Sequence, residues 1–428
     1  MNIRRDLTEL VSAGIISNEV ATQIEQYYRN TRKPSAGKMM MVFGILGAIL
    51  TGLGIILIIA HNWDEFSKVA KTFFAFIPLL IGQAICFYVL VRKPEAAGLR
   101  ESSSAFLFFA VGASIALISQ IYNIPGNFSA FLKLWMLLCV PLIYIMQSSV
   151  TSLLYITGIT YYACDAGYWN YAASQPWFYW VLLLLILPWY YHLYKKRPES
   201  NFLKIHNLLI PLSVLITLGT VSEQHEELLF VCYMSLFGLY YIIGNTPGFR
   251  DSKLRENGYL LFGSLGTIIL LLVLSFDRPW WSIRRENYQF NEVLYSPEFI
   301  SSLLLTLAAL AVLVITYRNR KFSTINPMEL VFLVFIIIFL MGLTSTIAVV
   351  LVNLIVLALG ILIVRKGAIL DHLGILNFGL LIIATLVTCR FFDSDLNFIV
   401  RGILFLIVGL GFFLSNVLML KKRKENVQ

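Results

Sequence analysis

Apolar residues fall in long runs separated by short polar links over most of the chain. The runs lie near residues 40–61, 70–91, 103–122, 130–146, 149–164, 177–194, 205–221, 227–244, 258–276, 298–317, 328–343, 346–364, 371–389 and 398–420. Most approach the ~20 residues an α-helix needs to cross a hydrocarbon core ~30 Å thick. The pattern predicts an all-α fold, a polytopic integral membrane helix bundle of about 14 transmembrane helices. Two of its boundaries rest on local breaks. The stretch 328–364 is nearly unbroken and as one helix would be about 55 Å long, too long for one crossing, so Gly342-Leu343-Thr344-Ser345-Thr346 is read as a break. The run 149–164 is short and follows the tight link Gln147-Ser148-Ser149.

Ahead of the first run, Leu7, Leu10, Val11, Ile15, Ile16, Val20, Ile24, Tyr27 and Tyr28 recur at helical spacing. Gly14 is suited to stopping one helix and Ser17 to capping the next. Residues 1–38 are therefore expected to form a short cytoplasmic helical hairpin and a linker containing Pro34, Ser35 and Gly37. Residues 39–428 are expected to form the transmembrane bundle, ending in a basic cytoplasmic tail. So small a hairpin cannot hold a strong core alone. It packs on its own bundle or on lipid headgroups, or it docks a cytoplasmic or membrane protein partner through Ile15, Ile16, Ile24, Tyr27 and Tyr28.

Composition sharpens this picture. Of 428 residues, 58% are hydrophobic and 13% charged, about half the ~25% charge of a soluble domain. A soluble fold of this size has too little interior to hide so much apolar surface. The net charge of +9 does not point to nucleic acid. Arg92-Lys93, Lys195-Lys196-Arg197, Arg318 to Lys321, Arg365-Lys366 and Lys421 to Lys424 fall on alternate links, as the positive-inside bias requires. That bias places both termini in the cytoplasm. The polar stretch from Met1 to Lys38 does not read as a signal peptide. The five cysteines are scattered and lie in or beside apolar runs, which suits small buried side chains.

Motifs of soluble enzymes are missing, so no catalytic residue, metal ligand or cofactor is assigned. The run Glu223-Gln224-His225-Glu226-Glu227 reads as an acidic solvated turn, because its potential ligands lack a defined spacing. The informative positions are polar groups at membrane depth, which are rare without a partner or a cavity. With the N-terminus inside, Asn62, Trp63, Asp64, Lys71, Gln120, Tyr122, Trp135, Arg390, Asp393 and Arg401 all fall toward the outer face. They form either a substrate-facing polar and aromatic cluster or an ordinary belt of anchors, caps and interhelical bonds. On the inner side, Asp371, His372 and Asn377 form a lesser group, for which helix capping by Asp371 is the main expectation.

These residues carry a resemblance. The chain resembles the bacterial predicted membrane proteins of domain of unknown function 2157. The resemblance rests on Leu10-Val11-Ser12-Ala13-Gly14-Ile15-Ile16-Ser17 before a helix ending in Tyr27-Tyr28, on Ala60-His61-Asn62-Trp63-Asp64 with Lys71, and on Ser119-Gln120-Ile121-Tyr122 with Trp135. Arg390-Phe391-Phe392 and Arg401-Gly402 also fit. Coverage is best over roughly the first 145 residues and the last 40. The resemblance implies an inner-membrane protein whose soluble hairpin precedes its bundle, and it supplies no function. Three functions stay open: a transporter or flippase-like protein for an amphipathic, lipid-like substrate; a scaffold, sensor or envelope-assembly factor docking a partner through its hairpin; and a membrane enzyme acting on lipid, with Asp64 or Asp393 as acid or base. Membrane lipid is a partner in every one of them.

Overall fold

The computed structural model describes residues 7, 10–31, 36–61, 66–169, 176–250, 252–285, 290–318 and 326–393, and isolated positions between 399 and 413. All regular structure among the described residues is helical. Among the described residues, eight helices are long and apolar enough to cross a membrane, or up to nine if one bent pair counts as a span. The chain divides into two compact units, Met1–Tyr155 and Ile156–Gln428.

The first unit opens on a turn of defined geometry. Gly14 has φ +70°, the left-handed region that favours glycine. Its N–H donates to the Val11 carbonyl (3.1 Å) and the Ile15 N–H to the Leu10 carbonyl (3.0 Å), the paired bonds of a Schellman stop. Ser17 then accepts the Val20 N–H at the start of α1 (Asn18–Thr31). The following helices are α2 (Ala36–His61), α3 (Lys68–Arg92), α4 (Ala97–Ile121) and α5 (Phe128–Met146). The polypeptide then enters α6 (Ser149–Cys164), after Gln147 takes a left-handed conformation, φ 48°. The tight link at 147–149 is thus a true break.

α4 is the axis of this unit and packs against α2, α3 and α5. Its sequence explains why. Ser103, Ser104, Ala105, Ala110, Gly112, Ala113 and Ser114 are all buried, and small side chains let helix backbones approach closely where lipid gives no hydrophobic drive to association. Ser114 Oγ donates across to the Ala75 carbonyl of α3 (2.7 Å). The opposite surfaces of α2 and α3 present Leu57, Phe73 and Phe87, each at least two-thirds exposed, as expected of faces wetted by acyl chains.

The second unit contains α7 (Phe178–Lys196), α8 (Asn201–Leu218), α9 (Leu229–Gly244), α10 (Gly258–Leu274), α11 (Asp277–Arg285), α12 (Phe290–Tyr295), α13 (Pro297–Tyr317), α14 (Val331–Gly342), α15 (Ile347–Ile369) and α16 (Leu373–Asp393). α9 packs against α10, α13 and α14. The core runs from Met234 and Leu271 through Trp280, Phe332, Phe335 and Phe339 to Val352 and Val356. The expected break at 342–346 is present: α14 ends at Gly342 and α15 starts at Ile347. α15 and α16 form a close antiparallel pair. Its contact needs glycine, since a Cβ at Gly367 would lie 2.4 Å from the Leu376 nitrogen. At the link between these two helices, His372 Nδ1 accepts the Ile375 N–H (3.3 Å). Asp371 instead occupies the left-handed turn position, φ 50°. His372 thus caps the start of α16.

Cys86, Cys139, Cys164 and Cys232 are buried, Cys389 is half-buried, and all five are free thiols.

Candidate functional site

The residues of the expected outer cluster belong to both units and are described unit by unit. Asn62, Trp63, Asp64 and Arg401 lie outside the described residues, as do the side chains of Asp393, Tyr27 and Tyr28, whose backbones are helical. In the first unit, the Trp135 indole packs on Phe108 (5.0 Å between ring centres) and Phe131 (5.5 Å). Its Nε1 donates to the Phe108 carbonyl (2.8 Å). It fills the hollow over Gly112, where a Cβ would come within 2.5 Å of the ring. This is a helix interlock between α4 and α5. Thr72 and Tyr122 share a hydroxyl–hydroxyl bond of 3.1 Å between α3 and the end of α4. Lys71 is half-buried and Gln120 exposed. Among the partner-docking candidates, Ile15 is exposed and Ile16 and Ile24 are half-buried.

Arg390 belongs to the second unit and sits at a sharply bent helix pair. The apolar α10 and the charged α11 are separated by a break at Ser275-Phe276, with their axes bent by 76°. Such a break strips helix carbonyls of their usual partners, and side chains must replace them. Trp280 Nε1 donates to the Leu274 carbonyl (2.7 Å). Asn353 Nδ2 of α15 donates to the Ser275 carbonyl (2.9 Å) and to its own Val349 carbonyl (2.7 Å). The Arg390 guanidinium donates to Ser275 Oγ (3.3 Å) and lies over the Phe276 ring, 4.5 Å from its centre. A cation, an amide and a bent helix thus meet at one corner. The amide oxygen of Asn353 is buried there with no hydrogen-bond partner among the described residues. Asn353 is an amide within an apolar run, a signal that could have drawn notice to it. Its partner, the carbonyl 78 residues away, was not.

Three glutamates, Glu101, Glu298 and Glu329, are buried among the described residues, and the first two bond distant backbone that their sequence positions do not reveal. Glu101 of α4 reaches the start of α6, where it accepts the Ser149 N–H on Oε1 (3.0 Å) and the Val150 N–H (2.9 Å) and Ser148 hydroxyl on Oε2. Glu298, wholly buried at the start of α13, accepts the N–H groups of Glu223 (2.6 Å), Gln224 (2.9 Å) and His225 (3.0 Å) on Oε1 alone. The acidic turn at 223–227 is therefore folded around a carboxylate from another helix. Among the described residues no three His, Cys, Asp or Glu side chains converge as a metal site would require. In both cases an anion sits where backbone N–H groups converge, the arrangement a helix start or turn favours.

Residues 8–152 match the family described as predicted membrane protein, domain of unknown function 2157. This chain is a membrane protein with several apolar helices. The match to domain 2157 ends just short of the boundary at Tyr155, so it corresponds to the first unit. It includes Glu101, the Ser148–Val150 start of α6 and the α4–α5 interlock at Trp135, whereas the Arg390 and Arg401 blocks lie beyond it. No curated protein and no solved structure is significantly similar to the chain.

Proposed function

We propose that this protein binds an amphipathic, anionic, lipid-like molecule and carries it through the membrane, with the bent helix of the second unit as the polar end of its path. One observation carries the reading. The Arg390 guanidinium stands on Phe276 at a 76° helix break, beside Ser275 and the buried amide of Asn353. A polar constellation at a discontinuous apolar helix is how membrane carriers hold a charged group without a wide aqueous pore. Arginine offers planar, paired donors to a phosphate or carboxylate, and the aromatic face lowers the cost of holding the cation. The frame of the proposal is a bundle of about 14 spans with both termini in the cytoplasm of a bacterial inner membrane.

The test is scrambling of fluorescent phosphatidylglycerol in vesicles reconstituted with the full chain. The expected result is protein-dependent bleaching of the inner-leaflet probe, slowed about ten-fold by Arg390→Ala, the loss of one charge-assisted contact. Arg390→Lys should fall between the two, since it keeps the charge and loses the planar fork. Bleaching no faster than in protein-free vesicles would overturn the reading.

A second reading is favoured by the N-terminal segment. Ile15 is 67% exposed and Val20 43%, on a helical hairpin that we propose projects from the bundle. Such residues suit docking of a cytoplasmic partner. Deleting residues 1–38 should then remove co-purifying protein while the thermal unfolding of the bundle stays unchanged. An unaltered set of co-purifying proteins would discard this role.

A further inference from the structure

We propose that α11 is a binding site for the headgroup of an anionic phospholipid, a site formed by Arg278, Trp281 and Arg285. This goes beyond the carrier reading, because it uses no residue of the Arg390 corner and holds whether or not lipid is moved.

The argument starts from the bend. α10 is an apolar stretch, and α11 turns 76° away from it. With α10 crossing the bilayer at the modest tilt usual for such helices, α11 lies close to the membrane plane, in the headgroup layer. One face of α11 is pinned. Trp280 is fully buried and its Nε1 is held by the Leu274 carbonyl. Its ring covers Gly342, where a Cβ would overlap it. Ile283 is also fully buried, and Arg284 pairs with Asp277 at 2.9 Å.

The opposite face is open. Arg278, Trp281, Ser282 and Arg285 are all exposed, and positions 278, 281 and 285 share one side of a helix. The Arg285 guanidinium carbon lies over the Trp281 ring, 3.4 Å from its centre. A guanidinium that covers an aromatic ring with its face keeps its N–H edge for hydrogen bonding, the fork that takes a phosphate through two parallel bonds. An indole at this depth belongs beside the glycerol and first acyl carbons. Among the described residues, Glu227 contacts this face, accepting the Ser282 hydroxyl at 3.1 Å, and Asp277 is paired with Arg284. Two exposed guanidinium groups against one contacting carboxylate among the described residues leave the face positive, so it prefers a headgroup with net negative charge over a zwitterionic one.

The full chain is reconstituted in nanodiscs containing brominated phosphatidylglycerol or brominated phosphatidylcholine, and the Trp281 share of the emission is isolated by subtracting a Trp281→Phe protein. Half-quenching of that share is expected at an about five-fold lower mole fraction of the anionic lipid. The exposed double variant Arg278→Gln/Arg285→Gln should bring the two lipids to equality without changing the thermal unfolding midpoint. Equal quenching by both lipids in the unaltered protein would reduce α11 to an aromatic anchor and overturn the proposal. A preference that survives the double variant would overturn it too. So would its abolition by inorganic phosphate at constant ionic strength, since the site would then take a free anion. Loss of lipid scrambling by Arg390→Ala with the quenching preference intact separates this site from the carrier reading.

Discussion

Glu298→Ala is expected to lower the unfolding free energy by about 4 kcal/mol, while Glu298→Gln costs about 1 kcal/mol. The difference follows from which oxygen does the bonding. Three backbone N–H groups, from Glu223, Gln224 and His225, converge on Oε1. Oε2 is buried with no hydrogen-bond partner among the described residues. Alanine strands three donors, each costing roughly 1–3 kcal/mol where water cannot replace the acceptor. Glutamine puts its amide oxygen in the Oε1 position and its NH2 where nothing depends on an acceptor, so only the charge assistance is lost. Glu101 should behave differently. Both of its oxygens accept donors, with Ser149 N–H on one and Val150 N–H on the other. Glutamine at 101 must aim an NH2 at a donor whichever way it turns, so Glu101→Gln should cost nearly as much as Glu101→Ala, about 3 kcal/mol. Equilibrium unfolding in detergent with a helix-sensitive probe measures all four variants. If glutamine proves equally harmful at both sites, this account of Oε1 and Oε2 is wrong.

The second large effect is steric. Gly263→Ala is expected to cost about 3 kcal/mol and to lower the thermal unfolding midpoint by several degrees, at the upper end of the cost of overpacking. A Cβ at 263 would lie 2.5 Å from the Tyr241 nitrogen and 2.9 Å from the Phe237 carbonyl oxygen, both backbone atoms of α9. No rotamer change can yield that space, so α9 and α10 must move apart. The contact is mutual, because a Cβ at Gly244 of α9 would come within 2.5 Å of the Leu260 nitrogen in α10. Gly47 supplies the contrast. It lies in α2 with nothing within 4 Å of its would-be Cβ. Gly47→Ala should be neutral or stabilise by up to about 1 kcal/mol through helix propensity. Unfolding midpoints in one detergent compare the two directly, and a Gly263→Ala protein as stable as the parent would show that the α9–α10 contact yields.

Much of the fold was legible because bilayer crossing imposes a length and a composition on each helix. The break at 147–149 could be located because Gln147-Ser148-Ser149 interrupts apolar character. The break at 342–346 could be located because one helix of that length would overrun the membrane. Gly14 and Ser17 announced a stop and a start, and the Schellman bonds and the Ser17 cap follow from residue chemistry alone. The candidate site was less legible. Trp135 looked the same in sequence whether it faced a ligand or a glycine, and its place over Gly112 depends on the register of α4 against α5. Tyr122 likewise found Thr72, a partner fixed by how α3 and α4 align.

From the linear order of its residues this protein acquires its long apolar helices and their preference for hydrocarbon, since these depend on local chemistry repeated over about 20 positions, whereas the short helices α11 and α12 carry no such signal. Tertiary packing alone determined where its few buried charges go. Glu101 and Glu298 became caps for distant backbone, and Arg390 came to rest on Phe276 at a bend, because an ion in an apolar interior must find donors or acceptors. Those donors and acceptors lie tens of residues away along the chain, where sequence spacing carries no information.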